Sequence, residues 1–159
     1  METLDQLLAA FKRLEKDLPA ILVEQTAVAG NDCLALVDQR ITETGKDVNG
    51  QSFVDYTAAY KKRKTKLGRY TDKVDFQLTN QMLASTQSGL KNINVKGREF
   101  SGTTAIVTIG PLDEETRKKV EGNDKSRPGF LLPSKGEVER VEKIRQGRIE
   151  DMIREEYFA

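Results

Sequence analysis

The sequence predicts an α+β domain: long N-terminal helices and a C-terminal helix packed on a small antiparallel β-sheet, with an extended central loop region. Three observations predict it. Apolar residues recur at helical spacing over residues 1–45 and again over 134–157, while the most secure alternation lies in the β-rich stretch 89–132. Residues 46–88 are too polar to form a core and sustain no single period. At 159 residues the chain is most simply one domain spanning 1–159, long enough to bury a core. With 37% apolar and 32% charged residues and a mean hydropathy of -0.57, that core is expected to be modest. An elongated protein completed by neighbours fits these totals better than a compact monomer.

In the first helix, residues 3–17, Leu4, Leu7, Leu8, Phe11 and Leu14 recur at three and four, and Thr3 and Gln6 stand at capping-box spacing. Pro19 marks a break or kink, and a second helix is expected from about Pro19 to Thr44. Its residues Val23, Ala27, Gly30, Leu34, Val37 and Ile41 form a heptad seam, either within the chain or between subunits. Gly30 on that seam points to close approach by another helix. Gly45 suits the helix end.

After an Asn49-Gly50 turn, residues 53–66 are expected to form a short helix with Phe53, Tyr56 and Tyr60 on a narrow aromatic face. Val74, Phe76 and Leu78 alternate as in an extended segment, and Thr79 is placed to cap a short helix carrying Met82 and Leu83. A β-hairpin is predicted over about 91–110, its runs at Ile93, Val95 and Ala105, Val107, Ile109 joined through Gly97–Gly102 and stopped by Pro111. Residues 113–121 suit one or two helical turns, 122–129 a loop, and Phe130-Leu131-Leu132 a third strand or a buried tether. Ser134 and Glu137 have capping-box spacing and open a C-terminal helix to about Tyr157. Its stripe is Val138, Val141, Ile144 or Arg145, Ile149, Met152 and Ile153.

Charge is unevenly spread behind a net of +1. Residues 1–45 carry 4 basic and 8 acidic side chains, 46–100 carry 11 and 5, and 101–159 carry 11 and 12. The acidic helical part and the basic middle could attract each other across a subunit boundary, or the basic part could face a polyanion. The sharpest feature is the run from Lys61 to Lys73, seven Lys or Arg with one Asp, flanked by Tyr56, Tyr60 and Tyr70. It has the means to track phosphates and stack bases, or to meet acidic protein surface, or to stand as a solvated loop.

Chemistry of other kinds is poorly supplied. No histidine and a single cysteine, Cys33, argue against a metal site, an imidazole base or an internal disulfide, and Cys33 is expected to be a buried structural thiol. The adjacent carboxylates Glu114-Glu115, Glu150-Asp151 and Glu155-Glu156 lack an apolar setting that would raise a pKa. No phosphate-cradling glycine loop is present. The expectation is a protein that is not an enzyme and takes no cofactor. Without a signal peptide or an apolar run of about 18 residues, it is expected to be soluble and made in a cytoplasm, away from membranes.

The order of parts resembles the virion-morphogenesis, or tail-completion, proteins of tailed bacteriophages. The resemblance is carried by Gly50-x-x-Phe53, the Tyr and Lys segment from Tyr56 to Arg69, the closing Leu78-Thr79-Asn80-Gln81-Met82-Leu83-x-Ser85, and Arg127-Pro128-Gly129-Phe130-Leu131 before a capped terminal helix. It spans residues 40–157. Asn80 replaces the family's usual Gly, and Gly129 is inserted between Pro128 and Phe130. The resemblance implies a structural protein of the virion, assembled in the host cytoplasm, forming part of a head-tail connector, neck or tail-completion ring. It implies a homo-oligomer contacting neighbouring connector and tail proteins, with contact to packaged DNA a further option. The expected contact residues are Phe53, Tyr56, Tyr60, Lys61, Lys62, Arg63, Lys64, Lys66, Arg69 and Arg127. The alternative is a nucleic-acid-binding accessory protein that uses the run Lys61 to Lys73.

Overall fold

The computed structural model describes residues 3–69, 71–74, 76, 85–86, 89–90 and 93–158, with backbone alone for 85–86 and 89–90. Helix α1 spans Leu4–Thr44, opened by the Thr3–Gln6 capping box and closed at Gly45, whose φ of 64 is the left-handed geometry that favours glycine. It runs through Pro19 as one helix rather than the two expected. An interior proline forfeits a backbone bond and costs about 3 kcal/mol. The offset comes from helix α4, Lys135–Tyr157, which is tied to α1 on both sides of the proline. On one side the Tyr157 hydroxyl donates to Asp17 at 3.0 Å and Arg13 donates to the Glu156 carbonyl at 2.5 Å. On the other, Arg148 pairs with Asp32 at 2.7 Å and Arg40 with Glu137 at 2.9 Å.

Strands β3 (Ile93–Ser101) and β4 (Thr104–Pro111) form the expected antiparallel hairpin, with Ile93 opposite Pro111 and Ser101 opposite Thr104. The segment read as its joining loop is strand as far as Ser101. The reversal needs only Gly102, at φ 62, and Thr103. Ala105, Val107 and Ile109 lie half-buried on one face of β4, and Ile106 on the other is exposed. A second two-stranded sheet pairs β1 (Ser85–Thr86) with β2 (Gly89–Leu90). Leu78, the Thr79 cap and its residues Met82 and Leu83 lie outside the described residues.

The heptad seam is satisfied within the chain. Ala27, Leu34, Val37 and Ile41 are buried, and the surface that approaches Gly30 is Ile109 of β4 rather than a second helix. The core gathers Leu34, Val37, Ile41, Val74, Phe76, Ile93 and Phe130 where α1 meets the hairpin and the central stretch. Helix α3 is longer than the turns expected, Glu114–Ser126, so most of the segment read as a loop is helical. Asp113 caps it through Thr116, and Arg117 and Lys119 pair with Glu114, Glu115 and Glu121 along its surface. Phe130 takes the tether role, with no strand at 130–132.

Helix α4 begins at the predicted Ser134–Glu137 capping box. Burial pulls the Glu137 carboxyl up, but Arg40 and the Ser134 backbone amide hold it below the usual range. Arg40 also donates to the carbonyls of Lys46 and Leu132, both at 2.8 Å, so one guanidinium joins α1, the turn after it and the start of α4. Arg145 rather than Ile144 takes the inward place on α4, because its guanidinium is held by Glu142 while Ile144 is left exposed.

An 18-residue window of α1 has a mean hydropathy of 1.3, so by length and composition this helix is apolar enough to cross a membrane. Glu24, Gln25 and Asp32 break every consecutive apolar run while leaving the average high. Only 28% of that window is buried by the rest of the chain.

Candidate assembly interface

Asp47 starts the site. Its carboxylate accepts from the amides of Asn49 and Gln51, at 2.9 and 2.8 Å, and Gly50 at φ 77 completes a reversal that pairs Ser52 with Lys46. The returning chain places Phe53 against Gly45, the Phe53 amide donating a hydrogen bond of 3.1 Å to the Gly45 carbonyl. Residues 53–57 lie outside any helix, and the helix expected from 53 starts only at Ala58. Helix α2, Ala58–Lys66, is capped by the Thr57 side chain.

Phe76 is the hub of this region. Its ring stacks on Phe130 with centroids 4.6 Å apart, meets Phe53 edge-on at 5.2 Å, and carries the Arg127 guanidinium at 5.4 Å. Its amide donates to the Tyr56 hydroxyl at 2.8 Å. The backbone at Phe76 is left-handed, φ 56, an unusual conformation for a bulky residue that this packing holds in place. Gly50-x-x-Phe53, Tyr56 and Arg127–Phe130, apart in sequence, thus converge on one ring. The alternation at Val74 and Phe76 hinted at burial but carried no sign of this role.

The ten expected contact residues take inward, half-buried and outward places, with Tyr60 half-buried beside Tyr56. Phe53, Tyr56, Lys64 and Arg127 belong to the fold. Lys64 is fully buried, its ammonium 4.8 Å from the centre of the Tyr56 ring, because the fourth residue after Tyr60 lies on the inner face of α2. As an outward contact Lys64 is therefore corrected. Arg127 lies 5.5 Å over Tyr56 and donates to the Val54 carbonyl at 2.9 Å, bolting the end of α3 to the segment before α2. Lys61 is half-buried and pairs with Asp55 at 2.5 Å, which holds that carboxyl below its usual range. Lys62, Arg63, Lys66 and Arg69 are exposed and form the outward basic surface.

On the Tyr60 side of α2 lies a cleft of about 410 Å³ walled by Val54, Asp55, Tyr56, Thr57, Tyr60, Phe76, Asn123, Ser126 and Arg127. Tyr56 and Tyr60 face each other across 4.7 Å and are half-buried, and Val54 at its rim is 73% exposed. Tyr70 lies outside the described residues. A separate groove, about 450 Å³, opens between the hairpin and α4 over Leu22, Gly30, Cys33, Val107, Ile109 and Val141. Cys33 lies half-buried on its wall instead of in the core, and burial pushes its thiol up, away from a reactive thiolate. Among the described residues no group of three or more His, Cys, Asp or Glu is gathered as a metal would require. No family model, curated protein or solved structure matches this chain.

Proposed function

We propose that this protein is a structural component of a tailed-phage virion, forming part of the head-tail connector, neck or tail-completion ring. The observation that carries the assembly role is apolar surface left uncovered at both ends of α1. Leu4 is 80% exposed and Leu8 53% at one end, and Val54 and Leu67 lie open beside the basic surface at the other. Exposed apolar clusters rimmed by charge are typical of surfaces that associate with other proteins. The order of motifs that resembles the phage family supplies the particular setting, and the convergence of three of those motifs on Phe76 gives them a shared physical task.

The alternative of a nucleic-acid-binding protein rests on Lys62, Arg63, Lys66 and Arg69. Base stacking would need open aromatic faces, and the Tyr56 ring is instead engaged by Tyr60, Lys64 and Arg127. That favours a protein partner for the basic surface. The test is deletion of the gene from the phage that encodes it. Filled heads and tails are expected to accumulate unjoined, with joining restored when the protein is supplied. Normal yields of complete particles would contradict the proposal.

A further inference from the structure

We infer that copies of this chain associate head to tail, the first two turns of α1 of one copy docking on the basic α2 surface of the next. The inference deepens the ring reading and rests on it only for closure of the series. Two poles with matching properties lie at opposite ends of α1, which at 41 residues is roughly 60 Å long. At the first pole Leu4, Leu8 and Phe11 line one face of the helix, each more than half exposed. The end of α4 lies beside them through the contact of Phe11 with Phe158, their ring centroids 5.1 Å apart. Residues 3–17 and 150–158 together carry seven acidic and four basic side chains, net -3.

The second pole has the opposite sign. Residues 55–73 carry seven basic and two acidic side chains, net +5, and Lys62, Arg63, Lys66 and Arg69 point outward. Arg63 stands one turn beyond Tyr60, a residue that lines the 410 Å³ cleft together with Asp55, Arg127 and the exposed Val54. An apolar helix face with acidic surroundings is thereby matched to the exposed cations of α2 and the part-apolar cleft lined by Tyr60 of the same helix, the arrangement of a helix-in-groove contact steered by charge. The two poles are different surfaces, so the contact is heterologous and propagates to a ring or an open series. The groove between the hairpin and α4 has no comparable charge match and is left outside this contact.

Two variants with substitutions at exposed positions test the pairing by native mass measurement. One carries Leu4→Ser and Leu8→Ser; the other carries Lys62→Ser, Arg63→Ser, Lys66→Ser and Arg69→Ser. Wild type is expected to form species of more than two copies that shift to monomer as salt rises from about 0.1 to 1 M. Each variant alone is expected to be monomeric with a wild-type melting temperature. Mixing them restores one intact pole from each and should yield a 1:1 dimer that grows no further. A monomeric wild type, a wild type that stops at a discrete dimer, variants that keep the wild-type mass, or a mixture that stays monomeric would each overturn the inference. These outcomes concern purified protein alone, so failure here is distinguishable from failure of the virion reading, which particle joining decides.

Discussion

A β-carbon added to Gly30 of α1 would lie 2.4 Å from the Cδ1 methyl of Ile109 on β4. The hairpin therefore approaches α1 at the one place where the helix has no side chain. Gly30→Leu is expected to cost about 1 to 3 kcal/mol through overpacking, read from denaturant unfolding. Ile109→Val removes the methyl in question, so in that background Gly30→Ala should become stabilising by about 1 kcal/mol from helix propensity. A purely additive double mutant would show that this contact does not limit the approach.

Lys64 and Lys62 are two residues apart and face opposite environments. Lys64→Ser removes a buried stem and its contact with the Tyr56 ring, and should lower stability by about 2 kcal/mol. Lys62→Ser alters an exposed side chain and should stay within about 0.5 kcal/mol of wild type. Thermal melts of the two single variants check this. Equal effects would remove the distinction between the inner and outer faces of α2.

Burial raises the Asp38 carboxyl from 3.8 to about 6, and its Oδ1 is buried without a hydrogen-bond partner. An acid with a raised folded-state pKa holds its proton more tightly when folded. Stability therefore falls as pH rises between 3.8 and about 6, and the cost of the charged form persists above that window. Asp38→Asn should flatten this part of the pH profile and gain about 1 kcal/mol at neutral pH, after allowance for its partial exposure. An unchanged slope across the window would show that another group governs it.

The terminal helix was legible because its signals are local: Ser134 and Glu137 cap it, and Val141 marks its inner face. The continuity of α1 was not, because Pro19 reads locally as a break and the splint that overrides it is formed by Asp32, Arg40 and Asp17 reaching α4. The basic run was visible as charge. Which lysine turns inward depends on where the Asp47 turn sends Tyr56, a tertiary fact that composition does not carry. Phe76 was hidden for a further reason: its left-handed backbone is stabilised by Phe130 and Arg127 from distant sequence, with no glycine to announce it.

The exposed basic surface of Lys62, Arg63, Lys66 and Arg69 is proposed to act in assembly. The measurement that tests it most directly is the yield of joined particles in a phage carrying Lys62→Ser, Arg63→Ser, Lys66→Ser and Arg69→Ser, beside the melting temperature of the purified variant and its retention of DNA. Exposed charges contribute little to folding, so the melting temperature should be unchanged. Particle joining should fall sharply, because one side of a charge-complementary contact has been removed. Joining at the wild-type level would contradict the account, and if DNA affinity and its salt dependence fell at the same time, the surface would belong to nucleic acid instead.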